Sequence, residues 1–156
     1  MGISNFQGQG PNYVPAYQTS GTPFVSSSVA PGTNIGPIRI KFPYVTKTLT
    51  ISNLDDDMDL RVAFTHSGSF KAKESTPGGG SKPSTDGDNF FLLQHRGAAT
   101  TPGSSVMTLD VRCTEVWFMA NHATNTVQFS CYAGLTGIAK DQFPVLSASN
   151  GFEGTG

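Results

Sequence analysis

The chain has 156 residues, a net charge of −1 and only 13% charged residues, so it lacks the basic excess that binding by phosphate neutralisation requires. Its 18 Gly, 10 Pro and 33 Ser and Thr argue against a helical bundle and for short strands joined by turns. A single domain of this size forms a core without a metal or disulfide, and no run of about 18 apolar residues is present to make a transmembrane helix.

The first charged residue is Arg39. The stretch before it carries Phe6, Tyr13, Tyr17 and Phe24 among Gly, Pro, Ser, Thr and Asn. It has no basic residue or apolar run near its start, as a secretory signal would. Phe6 stands where a myristoylation pattern needs Ser or Thr. Disordered tails usually carry charge and avoid aromatic residues. An uncharged segment with spaced rings instead reads as an extended arm over residues 1–36, lying on another protein surface through Phe6, Tyr13, Tyr17 and Phe24. Two short strands are expected within it, at 13–18 and 23–29.

Period-two alternation then marks strands in chain order. Ile38, Ile40 and Phe42 form one set, Val45, Leu49 and Ile51 a second, and Leu60, Val62 and Phe64 a third. Phe90-Phe91-Leu92-Leu93 is a continuous apolar run, expected to be buried on both faces. Met107, Leu109, Val111 and Cys113 alternate up to a slip near Thr114-Glu115, which reads as a bulge or bend. Val127, Phe129, Cys131 and Ala133 complete the pattern. Residues 121–125 read as a hairpin turn. The 22 residues 67–88, with Gly78-Gly79-Gly80, read as an exposed projection. Residues 37–141 form the sandwich core and 142–156 a C-terminal tail. Val62, Phe64, Phe91, Leu109, Val111, Trp117 and Phe129 are expected between the sheets.

About eight short antiparallel strands imply an all-β, single jelly-roll-type sandwich with an extended N-terminal arm. An immunoglobulin-like sandwich is the alternative, but Cys113, Trp117 and Cys131 are too close together for its pattern.

Catalytic motifs are lacking. No Gly-x-Ser-x-Gly elbow occurs, and Gly80-Ser81-Lys82-Pro83 departs from a phosphate-binding loop. His66, His95 and His122 lack metal-motif spacing. Asp55, Asp56, Asp57 and Asp59 are a candidate calcium cluster by ligand type, but Met58 and Leu60 break the EF-hand pattern, leaving a solvated turn as the simpler reading. Glu115 has no second carboxylate with which to form a glycosidase pair. Cys113 and Cys131 could be diagonal neighbours across a hairpin, yet disulfide geometry is strict and buried free thiols are expected. No cofactor is implied.

The segments Pro11-Asn12-Tyr13-Val14-Pro15-Ala16-Tyr17-Gln18, Ser20-Gly21-Thr22-Pro23-Phe24-Val25, Phe42-Pro43-Tyr44-Val45-Thr46-Lys47, Leu60-Arg61-Val62-Ala63-Phe64-Thr65, Asn89-Phe90-Phe91 and Ala133-Gly134-Leu135-Thr136-Gly137-Ile138 resemble small single-jelly-roll capsid proteins of large icosahedral double-stranded DNA viruses. These include the vertex (penton) and minor capsid proteins of algal viruses. The resemblance implies a non-enzymatic virion subunit. Its expected partners are copies of itself, as a pentamer or a trimer, and the major capsid protein, with no specific nucleic acid and no membrane insertion. A carbohydrate- or cell-surface-binding sandwich, such as a decoration or receptor-binding protein, is the reading from a different class.

Overall fold

The computed structural model describes residues 21–70, 88–97 and 105–155. The expected strand at 13–18 and most of the expected projection, 71–87, lie outside these residues. Eight strands are present: β1 (Thr22–Ala30), β2 (Ile38–Lys41), β3 (Tyr44–Asn53), β4 (Leu60–Ala63), β5 (Phe90–Leu93), β6 (Val106–Leu109), β7 (Glu115–Ala120) and β8 (Val127–Ala139). They form two four-stranded antiparallel sheets, sheet 1 in the order β1-β8-β3-β6 and sheet 2 in the order β2-β7-β4-β5. Pairs β1–β8 and β3–β6 lie in sheet 1, and β2–β7 and β4–β5 in sheet 2. The chain therefore behaves as one long hairpin, first strand against last, wound so that successive paired segments alternate between sheets. Pairings β3–β8 and β4–β7 close the two layers. This is the jelly roll, and the structure is the all-β sandwich that the alternation implied.

The inner faces follow from strand phase. Ile51 and Leu49 of β3, Phe129, Cys131 and Ala133 of β8, Val116 and Phe118 of β7, and Leu60 and Val62 of β4 are all almost fully buried in one core. Phe118 stacks on Phe129 with centroids 4.1 Å apart, joining the middle of one sheet to the middle of the other. Phe24 of β1 meets Phe42 edge-on at 5.2 Å. Residues 22–30, read from sequence as part of an arm, thus form an edge strand whose inward ring packs on the core.

Four expectations are corrected. Residues 121–125 do not close a hairpin, because β7 and β8 belong to different sheets. That connection crosses the sandwich and is held by the β1–β2 link, where the Thr33 and Asn34 amides donate to the His122 and Ala123 carbonyls at 2.9 and 3.1 Å. The slip at Thr114-Glu115 is likewise a change of sheet: β6 ends at Leu109, and β7 begins at Glu115 on the opposite layer. Phe91 and Leu92 are exposed, since β5 is an edge strand. Trp117 pairs with Arg39 and Ala63 on the outer face of sheet 2 and is half-buried there. Phe64, Leu109 and Val111 are half-buried at the core margin.

The outer face of sheet 2 is covered by the chain itself. A short 3-10 turn, Ser67–Ser69, follows β4, and Phe70 after it is fully buried. The first residues expected to project therefore pack inward. Beneath them Arg61, 2% exposed, donates from Nε to Asn121 Oδ1 at 2.9 Å and lies 4.8 Å from the Phe90 ring. The C-terminal segment returns to the same place. Thr65 Oγ1 donates to the Thr155 carbonyl, and Asn89 Nδ2 donates to the Gly154 carbonyl at 3.0 Å. Gly68 is required at this contact, because a Cβ there would come within 2.4 Å of the Thr155 oxygen.

Where β6 crosses to β7, buried Thr46 acts as a clasp. Its hydroxyl donates to the Val111 carbonyl at 2.6 Å and accepts the Cys113 amide at 2.9 Å. Thr46→Val would leave both backbone groups without that partner and is expected to cost about 1–3 kcal/mol. Phe118→Ala is expected to cost about 3–5 kcal/mol, and Phe91→Ala, at an exposed position, far less. Urea unfolding of the three variants checks both the clasp and the strand phases.

Candidate functional site

The densest polar and aromatic cluster lies on the outer face of sheet 2. The β2–β7 register sets Arg39 beside Trp117 and Lys41 beside Glu115. The Arg39 guanidinium sits 5.1 Å from the Trp117 ring centroid and 3.5 Å from Glu115 Oε2. The Trp117 indole donates to Glu115 Oε1 at 3.2 Å. His66 meets the Trp117 ring edge-on at 5.2 Å and Phe70 at 5.5 Å. Trp117 is therefore engaged by Arg39, Glu115 and His66 together, which suits a structural seam better than an open sugar platform. The neighbouring hollow, lined by Phe64, Thr114, Glu115, Val145 and Leu146, has about 50 Å³. Ligand pockets usually have some 300–1,000 Å³.

At one end of the sandwich the Asp run is built into a turn. Asp55 Oδ1 accepts the amides of Asp57 and Met58 at 3.0 and 2.9 Å. Asp59 Oδ1 accepts the His95 amide at 3.0 Å and lies 2.8 Å from His95 Nδ1. Asn53, fully buried, donates from Nδ2 to the Met58 and Leu93 carbonyls and accepts the Asp55 amide, tying the turn to β3 and β5. The backbones of Arg96 and Gly97 donate to the Asp55 and Asp56 carbonyls. These carboxylates thus serve turn geometry and one His contact. An open cleft of about 370 Å³ between this turn and residues 124–126 is lined by Asp55 and Asp57 but not by Asp56 or Asp59. Among the described residues no three His, Cys, Asp or Glu side chains converge as metal ligands.

The three histidines are likewise apart. His66 lies on Trp117 and His95 on Asp59, while His122 Nδ1 accepts the amides of Thr124 and Asn125 in the β7–β8 connection.

The outer face of sheet 1 is different in kind. Strand register arranges it in cross-strand rows. One row runs Val25, Tyr132, Thr50, Thr108, and the next Ser27, Ser130, Ser52, Val106. Pro23, Gly134 and Thr48 lie on the other side of Tyr132, and Val29 pairs with Gln128 beyond the serines. None of these described outward residues is charged. Val25 is 71% exposed, and Val29, Tyr132 and Val106 are also open to solvent. The Thr50 and Thr108 hydroxyls contact each other at 3.0 Å. This face is the surface the structure leaves most available to a partner. Its composition could have been read from the outward positions of the alternating segments. Of the four aromatic residues expected to make assembly contacts, Phe6, Tyr13 and Tyr17 lie outside the described residues, and Phe24 packs inward on Phe42.

Cys113 and Cys131 are both buried and free. Cys131 lies on β8 opposite Ser26 and Ile51, and Cys113 lies before β7 beside Thr46. Burial pushes the Cys113 thiol up to about 11 and the Cys131 thiol up to about 12.

No family model matches this chain, and no curated protein does. A solved structure of IMPa from Pseudomonas aeruginosa, in complex with an O-glycopeptide, aligns with 83% of this chain at 13% identity and a TM-score of 0.37. The chain spans only 15% of that protein's length.

A thiol whose folded-state pKa is raised keeps its proton where the unfolded chain loses it. Its stabilising contribution is whole below about pH 9 and is lost as pH rises through about 11 and 12. Cys131→Ala is therefore expected to shallow the loss of unfolding free energy above pH 9 by up to about 1.4 kcal/mol per pH unit. Denaturant titrations of both proteins from pH 8 to 11 measure the difference in slope.

Proposed function

We propose that this chain is a non-enzymatic structural subunit of a viral capsid, assembling with copies of itself at a symmetry axis or cementing the major capsid protein. The observation that carries the reading is the strand order, β1-β8-β3-β6 over β2-β7-β4-β5. It is the jelly roll widespread in capsid domains, and the sequence resemblance points to the same class. Because one fold hosts many functions, surface chemistry has to add weight. An uncharged, partly apolar sheet face suits a permanent interface between protein subunits, whose centres are depleted of charge. The same near-neutral surface offers little to nucleic acid.

Jelly rolls also occur in lectins, which keeps a carbohydrate-binding module as the competing class. Against it, Trp117 is engaged by Arg39, Glu115 and His66, and the hollow beside it is small.

Native mass measurement of the full chain at tens of micromolar tests the proposal. A closed homo-oligomer is expected, five copies being favoured and three the alternative. A chain that stays monomeric and does not join a capsid particle overturns it.

A further inference from the structure

The charge-free outer face of sheet 1 places a strict condition on whatever covers it. A covering surface that brings charges onto this face must desolvate them with no opposite charge to meet, which is costly. The outer face of sheet 2, with Arg39, Lys41 and Glu115, fails that condition. Residues 1–20 meet it: they carry no Asp, Glu, Lys or Arg, and they bring Phe6, Tyr13 and Tyr17.

The face also has a relief suited to rings. Tyr132 and Val25 stand in one row, with the serine row Ser27, Ser130 and Ser52 on one side and Gly134 on the other. A Cβ on Gly134 would meet Thr48 Oγ1 at 2.9 Å and the Tyr132 hydroxyl at 3.9 Å, so the floor there is low and closely bordered. Two shallow troughs thus cross the strands on either side of Tyr132.

Size decides against simple face-to-face pairing. Four strands spaced about 4.8 Å apart, over six or seven residues of common length, make a patch of roughly 400 Å². A stable interface takes about 800 Å² per partner. A 20-residue segment can extend to about 70 Å, enough to cross the patch and continue onto adjoining surface. Direction favours a neighbouring copy. At the first described residue, Gly21, the backbone lies against Gly134 and Leu135 in line with β1, without a positive φ to turn it, so the strand axis runs off the end of its own sheet.

We infer that the outer face of sheet 1 is the seat for residues 1–20 of a neighbouring copy of this chain, their aromatic rings filling the troughs beside Tyr132. This rests on the reading that copies of the chain assemble. The test uses the full chain with Tyr13→benzoylphenylalanine, assembled from a mixture of ¹⁵N-labelled and unlabelled protein and then irradiated. Cross-links to peptides of β1, β8 or β3, joining a labelled to an unlabelled chain, are expected. Val25→Glu and Val106→Glu should each lower their yield at least tenfold, while Val145→Glu, on the C-terminal segment, should leave it unchanged. Normal oligomers whose cross-links fall elsewhere, or only within one chain, overturn this inference and leave the assembly reading standing. A full chain that forms no oligomer overturns both.

Discussion

The stacked rings of Phe118 and Phe129 are the contact on which the sandwich depends. Each belongs to an interior strand of its sheet, β7 and β8, so the pair joins the layers where neither can slide past the other without opening the core. Around it the aliphatic rows of β3 and β4 close from either side. Once the inner faces are set in this way, strand alternation fixes what each sheet presents outward. The two outer faces then have opposite fates. One is roofed by the chain's own 65–70 stretch and C-terminal segment, and the other is left bare.

Much of this was legible from periodicity alone. Alternation identified the strand segments and the inward positions of β3, β4 and β8, because burial of one face imposes a period of two. The errors came from topology and from covering layers. Residues 121–125 look like a hairpin turn, since neighbouring strands usually pair, but in a jelly roll the later strands return to the earliest ones. Trp117 was expected inside because sequence does not reveal that an outward position can be roofed: Met119 faces outward too and is fully buried. The Phe90–Leu93 run looked doubly buried, yet an edge strand leaves Phe91 and Leu92 open. The Asp run drew attention by charge density, whereas Asn53, which organises that turn from below, stands out only once its burial is known.

The asymmetry between the outer faces bears on function more than any single residue does. Charged side chains on a surface keep proteins apart in solution, and their absence across a whole sheet face is a standing invitation to association. The Arg39–Trp117–Glu115 group has the ingredients of a binding site, but its members satisfy one another. A subunit that assembles needs one finished surface and one unfinished one, and the two sheets divide in that way.

The pairing of β1 with β8 carries a consequence for synthesis. Ala30 pairs with Val127 and Thr22 with Leu135, so β1 leaves the ribosome about a hundred residues ahead of its partner. At 5–20 residues per second that is a wait of roughly 5–20 s. Throughout it, β1 is a nine-residue strand without a charged residue, lacking the gatekeeping side chains that discourage edge-to-edge pairing. On crowded polysomes, where nascent copies emerge side by side, the early part of this chain has the chemistry to meet another copy before it meets its own last strand.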